Sequence, residues 1–114
     1  MPNATGTDVV IVLTSLPDRE AALKLARTLV EKRLAACVSV LAECTSVYRW
    51  KGVIETAQEV PVQIKIRSAL YPEVEAVIRK HHPYELPEIV AVPVVRGLPK
   101  FLEWVAAETN PPTG

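Results

Sequence analysis

From Ile54 to Arg67 apolar and polar side chains alternate. Ile54, Val60, Val62, Ile64 and Ile66 stand at even positions, and Glu55, Glu59, Gln63, Lys65 and Arg67 at odd ones. A period of two reads as a strand with one buried face and one wet face. Pro61 lies inside the run and lacks a ladder donor, so a bulge or an unpaired stretch of edge is expected there. Just upstream, Lys51-Gly52 supplies a two-residue hairpin turn, with Gly giving the positive φ. Residues 36–50, from Ala36-Cys37-Val38 to Tyr48-Arg49-Trp50, read as the other arm. Arms of roughly fourteen residues run about 46 Å at strand rise, whereas strands usually hold about five or six residues. In a chain of 114 residues such a hairpin outruns the domain, and its tip protrudes. Tyr48 and Trp50 share one parity near that tip. Protruding aromatic surface marks a contact site, here assigned to an oligomer interface in preference to a bare solvated arm.

The flanking segments supply the other layer. Asp8-Val9-Val10-Ile11-Val12-Leu13-Thr14 is a β-branched run that reads as a strand covered on both faces. Ser15-Leu16-Pro17-Asp18 opens a helix carrying Ala22, Leu25, Ala26, Leu29 and Val30 at helical spacing, with Lys24, Arg27 and Glu31 opposite, as far as Arg33. Ser68 and Pro72 open a second helix with Leu70, Val74, Val77, Ile78 and His81 on one stripe. It stops by His82, because Pro83 disfavours helix in the residue before it. A stiff loop with two prolines follows, then a strand over Ile89–Val95 that Pro93 marks as an edge. Gly97 precedes a closing helix bearing Phe101, Leu102, Trp104 and Val105, with Trp104 expected to pack within its own subunit. The order is an α+β, ferredoxin-like β-α-β-β-α-β sandwich with an extra C-terminal helix and a long hairpin. Its first strand and the return arm lie at the centre of the sheet. Residues 1–7 are expected to be a flexible N-terminus, 8–108 one domain, and 109–114 a flexible tail.

Thirteen basic residues balance thirteen acidic ones, which argues against nucleic acid or an anionic membrane as the principal partner. No apolar stretch approaches the roughly 18 residues of a membrane helix. The first seven residues lack a signal-peptide pattern, so a cytoplasmic location is expected. RNA binding on the sheet face needs aromatics on the central strands, and Val9–Leu13 and Val60–Ile66 have none. No Ser-His-Asp or Cys-His constellation and no Gly-rich phosphate loop is evident. An enzyme is not expected, nor an organic cofactor.

The metal candidates are Cys37, Cys44, His81, His82, Glu59, Glu85 and Glu88. The two cysteines lack structural-zinc spacing. On one extended strand they would sit about 23 Å apart, too far to bridge, so reduced thiols are expected. Thiolate with imidazole suits copper or zinc. His81 and His82 point about 100° apart on a helix. His81 continues the apolar stripe toward the core, and His82 at the helix end is freer to point elsewhere. Across an ideal turn Trp50 opposes Val53, so partner numbers sum to 103. Cys44 then faces Glu59, and Cys37 faces Ile66 as a buried, inert thiol. A bulge at Pro61 would reverse that assignment. Tyr84 and Glu88 serve equally well as end caps or as binding groups.

Leu34-Ala35-Ala36-Cys37-Val38, Ser46-Val47-Tyr48-Arg49-Trp50-Lys51-Gly52, Glu59, Lys65 and His82-Pro83-Tyr84-Glu85-Leu86-Pro87-Glu88-Ile89 together resemble the CutA family of divalent-cation tolerance proteins. That family's Tyr-Leu-x-Trp appears here as Phe101-Leu102-Glu103-Trp104, a mild departure. The likeness runs in order from about Val9 to Val105. It implies a homotrimer of ferredoxin-like subunits similar to the PII signalling proteins, and a link to copper and other divalent ions. It further implies Cys37, His82 and Glu59 as metal ligands, with Tyr84, Glu88 and Lys65 as further motif positions. The alternative is a PII-like module that binds a small molecule or protein partner in intersubunit clefts.

Overall fold

The computed structural model describes residues 6–110. Along the chain lie β1 (Val9–Leu16), α1 (Arg19–Glu31), β2 (Cys37–Val40), β3 (Cys44–Trp50) and β4 (Val53–Arg67). A 3₁₀ turn (Ser68–Leu70) leads into α2 (Tyr71–His81), followed by β5 (Val90–Pro93) and α3 (Pro99–Glu108). The strands form one open antiparallel sheet in the order β2-β4-β1-β5, with β3 paired to β4 alone. The fold is α+β, and the two strands expected at the centre of the sheet are there.

The alternation in β4 decides which face is buried. Val60, Val62, Ile64 and Ile66 are almost completely enclosed, together with Val12 and Leu16 of β1. Ala22, Leu25 and Leu29 of α1 and Val74 and Ile78 of α2 close over them in one cluster. Each such aliphatic side chain contributes about 1.5–3 kcal/mol by leaving water. Asp18 caps α1, its carboxylate accepting from the Ala21 N–H at 2.8 Å, one position beyond Pro17. The helix stops at Glu31, and the chain then turns through Arg33 at φ 59.

The hairpin departs from its expected form in one respect that matters. Lys51 and Gly52 both have positive φ, at 52 and 82, as a twisted two-residue turn demands. From there Trp50↔Val53 to Cys44↔Glu59 keep the register sum of 103. Residues 41–43 then break the arm, and β2 resumes with Val40↔Val62 and Cys37↔Lys65, a sum of 102. Three residues on the first arm oppose two on β4, which is a bulge. Cys37 therefore faces Lys65, not Ile66, and lies half-buried on the face away from α1 and α2.

Pro61 explains where the bulge falls. It lies in a central strand, paired with Ser15 on one side, and its carbonyl accepts from Leu41 N–H at 2.9 Å on the other. A strand residue's N and C=O point the same way, so the missing Pro61 donor faces the interruption. The bulge sits at the expected level but on the opposite arm.

Among the described residues, 53–59 have no strand partner but β3 and form with it a two-stranded ribbon along a molecule 43 Å in its longest dimension. Among the described residues no helix covers this part, so Ile54 is 65% exposed although it shares the parity of the core positions. The outer face of the sheet is covered at one end by α3, through Val105 against Val9 and Ala36. Ile11 and Leu13 on that face stay half-buried, so the cover expected over β1 is partial. Trp104 does not pack inside the subunit. It is 43% exposed beside Phe101, with ring centroids 5.7 Å apart.

At the ends of the domain, Thr7 donates from both its N–H and its hydroxyl to the Val94 carbonyl. Thr109 is fully buried, and the Arg67 guanidinium donates to its carbonyl and hydroxyl. Residues 1–5 and 111–114, assigned to flexible termini, lie outside the described residues.

Candidate functional site

The ribbon carries Cys44, Ser46, Tyr48 and Trp50 of β3 on one face, opposite Glu59, Ala57, Glu55 and Val53 of β4. Successive strand residues alternate faces, so the register alone assembles this row. The loop after α2 folds back against it. Between them lies a cavity of about 840 Å³ lined by Tyr48, Trp50, Glu59, Tyr84, Glu85 and Glu88, with Ser15, Ser46, Val47, Ala57 and Leu86 completing the wall. Of the positions singled out in the sequence, Tyr48, Trp50, Glu59, Tyr84, Glu85 and Glu88 meet here. Ser15 and Ser46 were not among them, although parity with Pro61 and Tyr48 places both on this face.

His82 holds the loop in place. Its ring is buried, and Nε2 lies 2.6 Å from the carbonyl oxygen of Ser15. Nδ1 is 3.3 Å from the Tyr84 backbone nitrogen. A carbonyl only accepts and an amide N–H only donates, so Nε2 carries the proton and the Nδ1 lone pair is occupied. The Tyr84 ring packs on the imidazole with centroids 4.7 Å apart. His82 and His81 thus exchange the positions expected of them. His82 goes inside, while His81 is half-buried with Nδ1 3.0 Å from the Val77 carbonyl oxygen and borders a shallow hollow near Asp18 and Lys80.

The electrostatics of the cavity are one-sided. Its lining holds three carboxylates and no Lys, Arg or His side chain. Burial first, and then the Glu59 carboxylate beside it, push the Tyr84 phenol above its ordinary value, with smaller contributions from Tyr48 and Asp18. The Lys51 ammonium lies outside the lining, 5.5 Å from the centroid of the Trp50 ring.

Cys37 and Lys65 are not part of this site. They face each other across β2 and β4, and Lys65 is separated from Glu59 by six residues of strand, about 20 Å. Cys37, His82 and Glu59 do not converge within one chain. Among the described residues no three His, Cys, Asp or Glu side chains are grouped so as to hold a metal ion. The donor set of a single chain does not fit a tightly held resident metal, which needs ligands converging at about 2.0–2.6 Å.

The family model described as CutA1 divalent ion tolerance protein matches residues 10–108, which take in the ribbon, the loop and the cavity. The chain belongs to the CutA1 family. It is 42% identical over 114 residues to Protein CutA of Mus musculus, covering 96% of this chain and 64% of that one. It is 38% identical over 100 residues to the divalent-cation tolerance protein CutA of Thermus thermophilus, covering 88% and 97%. The crystal structure of CutA from Xylella fastidiosa superposes with a TM-score of 0.88 at 40% identity, covering 91% of this chain and 100% of that one. The chain thus spans less than two-thirds of the length of its mouse relative. Among the described residues no helix is long and apolar enough to cross a membrane.

Proposed function

We propose that this CutA1 chain acts as a homotrimer in the response to divalent metal ions, binding copper or another divalent cation weakly at the carboxylates of the ribbon cavity. The observation that carries this reading is the trio Glu59, Glu85 and Glu88 around one cavity with no basic side chain in its wall. Uncompensated negative charge attracts cations without caging one, which accounts for weak rather than tight binding. Cys37 joins Glu59 at an ion only if a second chain supplies it, and His82 only by giving up its bond to Tyr84.

Assembly is supported by surface that one chain leaves open. Val90 and Val92 on β5, Leu98 just before α3, and Phe101 and Trp104 on it are exposed, as are Val47, Tyr48 and Val53 on the ribbon. Apolar surface on this scale marks an interface, and a closed ring also removes free sheet edges. The reading makes the protein a binding module rather than an enzyme. Its two free thiols suit a reducing cytoplasm. The second reading, a PII-like module holding a small molecule or partner in intersubunit clefts, is favoured by the size of the cavity.

Sedimentation velocity at micromolar concentration, with copper titrations of wild type, Glu59→Gln and Cys37→Ser, tests both parts. The expected result is a trimer whose weak, saturable copper binding falls in Glu59→Gln and survives in Cys37→Ser. A monomer refutes the assembly. Loss of copper binding in Cys37→Ser with the trimer intact moves the site to the thiol.

A further inference from the structure

We propose that the ribbon cavity receives the ammonium head of an organic cation, recognised by the rings of Tyr48, Trp50 and Tyr84 and the carboxylates of Glu59, Glu85 and Glu88. The proposal rests on the reading of this cavity as the ligand site and names a different class of ligand for it.

The arrangement suits a large soft cation better than a bare metal ion. A metal needs three or more donors at bonding distance of one point, and the described residues offer no such group. An ammonium on an organic body needs neither convergence nor direct bonds. It is held by ring faces within about 6 Å and by unpaired negative charge nearby. Three aromatic residues and three carboxylates line one cavity of about 840 Å³, within the size range of organic-ligand sites. The chain supplies its own analogue of the contact, the Lys51 Nζ 5.5 Å from the Trp50 centroid. That ring is therefore presented to cations, and Lys51 is a tethered competitor for it. Val47, Ala57 and Leu86 in the same wall offer apolar contact to the body of the ligand.

The test uses fluorescence of Trp50 in the full chain. The sequence holds two tryptophans, and Trp104→Phe on the exposed side of α3 leaves Trp50 as the sole reporter. The probe is tetramethylammonium chloride at constant ionic strength with EDTA present, and tert-butanol is the neutral control of similar shape. The expected result is a saturable change with tetramethylammonium and none with tert-butanol. Glu59→Gln should weaken the midpoint about fivefold, as loss of one nearby charge predicts, and Lys51→Ala should tighten it. Glu88→Gln, on the exposed loop, repeats the weakening where a change at Glu59 disturbs the ribbon. Equal midpoints for the cation and the alcohol, or midpoints unmoved by both Glu→Gln variants, overturn the proposal. Copper binding that Glu59→Gln weakens, without any tetramethylammonium response, overturns this proposal and leaves the cavity as a metal site. Absence of both responses overturns the cavity as a ligand site altogether.

Discussion

Replacing His82 by alanine separates a metal ligand from a brace. The imidazole is 8% exposed, donates from Nε2 to the Ser15 carbonyl and accepts at Nδ1 from the Tyr84 N–H. Alanine leaves the half-buried Ser15 carbonyl without its partner, at about 1 kcal/mol. The Tyr84 N–H sits on an exposed loop and turns to water, which costs little. Loss of the ring contact with Tyr84, now 4.7 Å between centroids, removes up to about 1 kcal/mol. The emptied volume adds about 1–2 kcal/mol, because the strand and helix end around it relax only in part. The expected destabilisation is about 3 kcal/mol, present in metal-free protein. Urea unfolding at fixed chain concentration with EDTA measures it, since the proposed assembly would make the midpoint concentration-dependent. His82→Gln should recover part of the loss, its amide N–H reaching the same carbonyl. Unchanged metal-free stability in His82→Ala, with copper affinity reduced, would refute the reasoning and return His82 to the role of a ligand.

Two further outcomes follow from buried or charged oxygen atoms. The Tyr84 phenol should ionise above the ordinary value of 10.0 in an ultraviolet titration of phenolate absorbance, with Tyr84→Phe assigning the transition. Glu59→Gln should lower that value only part-way, because burial is the larger cause. A raised phenol favours the neutral form in the fold, so its contribution is complete below pH 10 and is lost as pH rises through the folded value. Thr14 is buried with a hydroxyl that has no hydrogen-bond partner among the described residues. Thr14→Val keeps its shape and removes an unsatisfied group, so the urea midpoint should rise by the equivalent of about 1 kcal/mol; a fall would show that the hydroxyl has a partner.

Strand β4 is legible in the sequence because its whole pattern is carried by its own residues. Its first arm is not, because a strand's facing depends on a count that one extra residue resets. Even-numbered Val38 and Val40 point to the core, whereas even-numbered Cys44, Ser46, Tyr48 and Trp50 point to the outer face. Counting back from Lys51-Gly52 therefore holds as far as Cys44 and fails at Cys37. Pro61 announced the interruption but could not say which strand would yield. The side of Pro61 that lacks a donor fixes this, and that side depends on the long-range pairing with Ser15. The cavity divides in the same way. Tyr48, Trp50 and Glu59 share a face by parity, while the approach of Tyr84 and Glu88 depends on a bond from His82 to Ser15, 67 residues away.

The ribbon shows what such reading gains when it disagrees with one chain. Alternation is written by whatever covers a strand, and in Val60–Ile66 that cover is α1 and α2. Ile54 shares that parity, beyond the polar Thr56 and Gln58, and is 65% exposed, opposite Arg49 and close to Val47 at 68%. Among the described residues no helix covers them. A sequence that keeps an apolar position where its own fold supplies no cover is patterned for a surface outside the chain. The assembly proposed above accordingly centres on the ribbon. The ligand cavity adjoins that surface, between Tyr48 and the loop that His82 holds, with Val47 in its wall. Closure of a trimer against the ribbon would then fix the wall that carries Trp50 and Glu59, so chain dissociation should weaken ligand binding without any change to the lining residues.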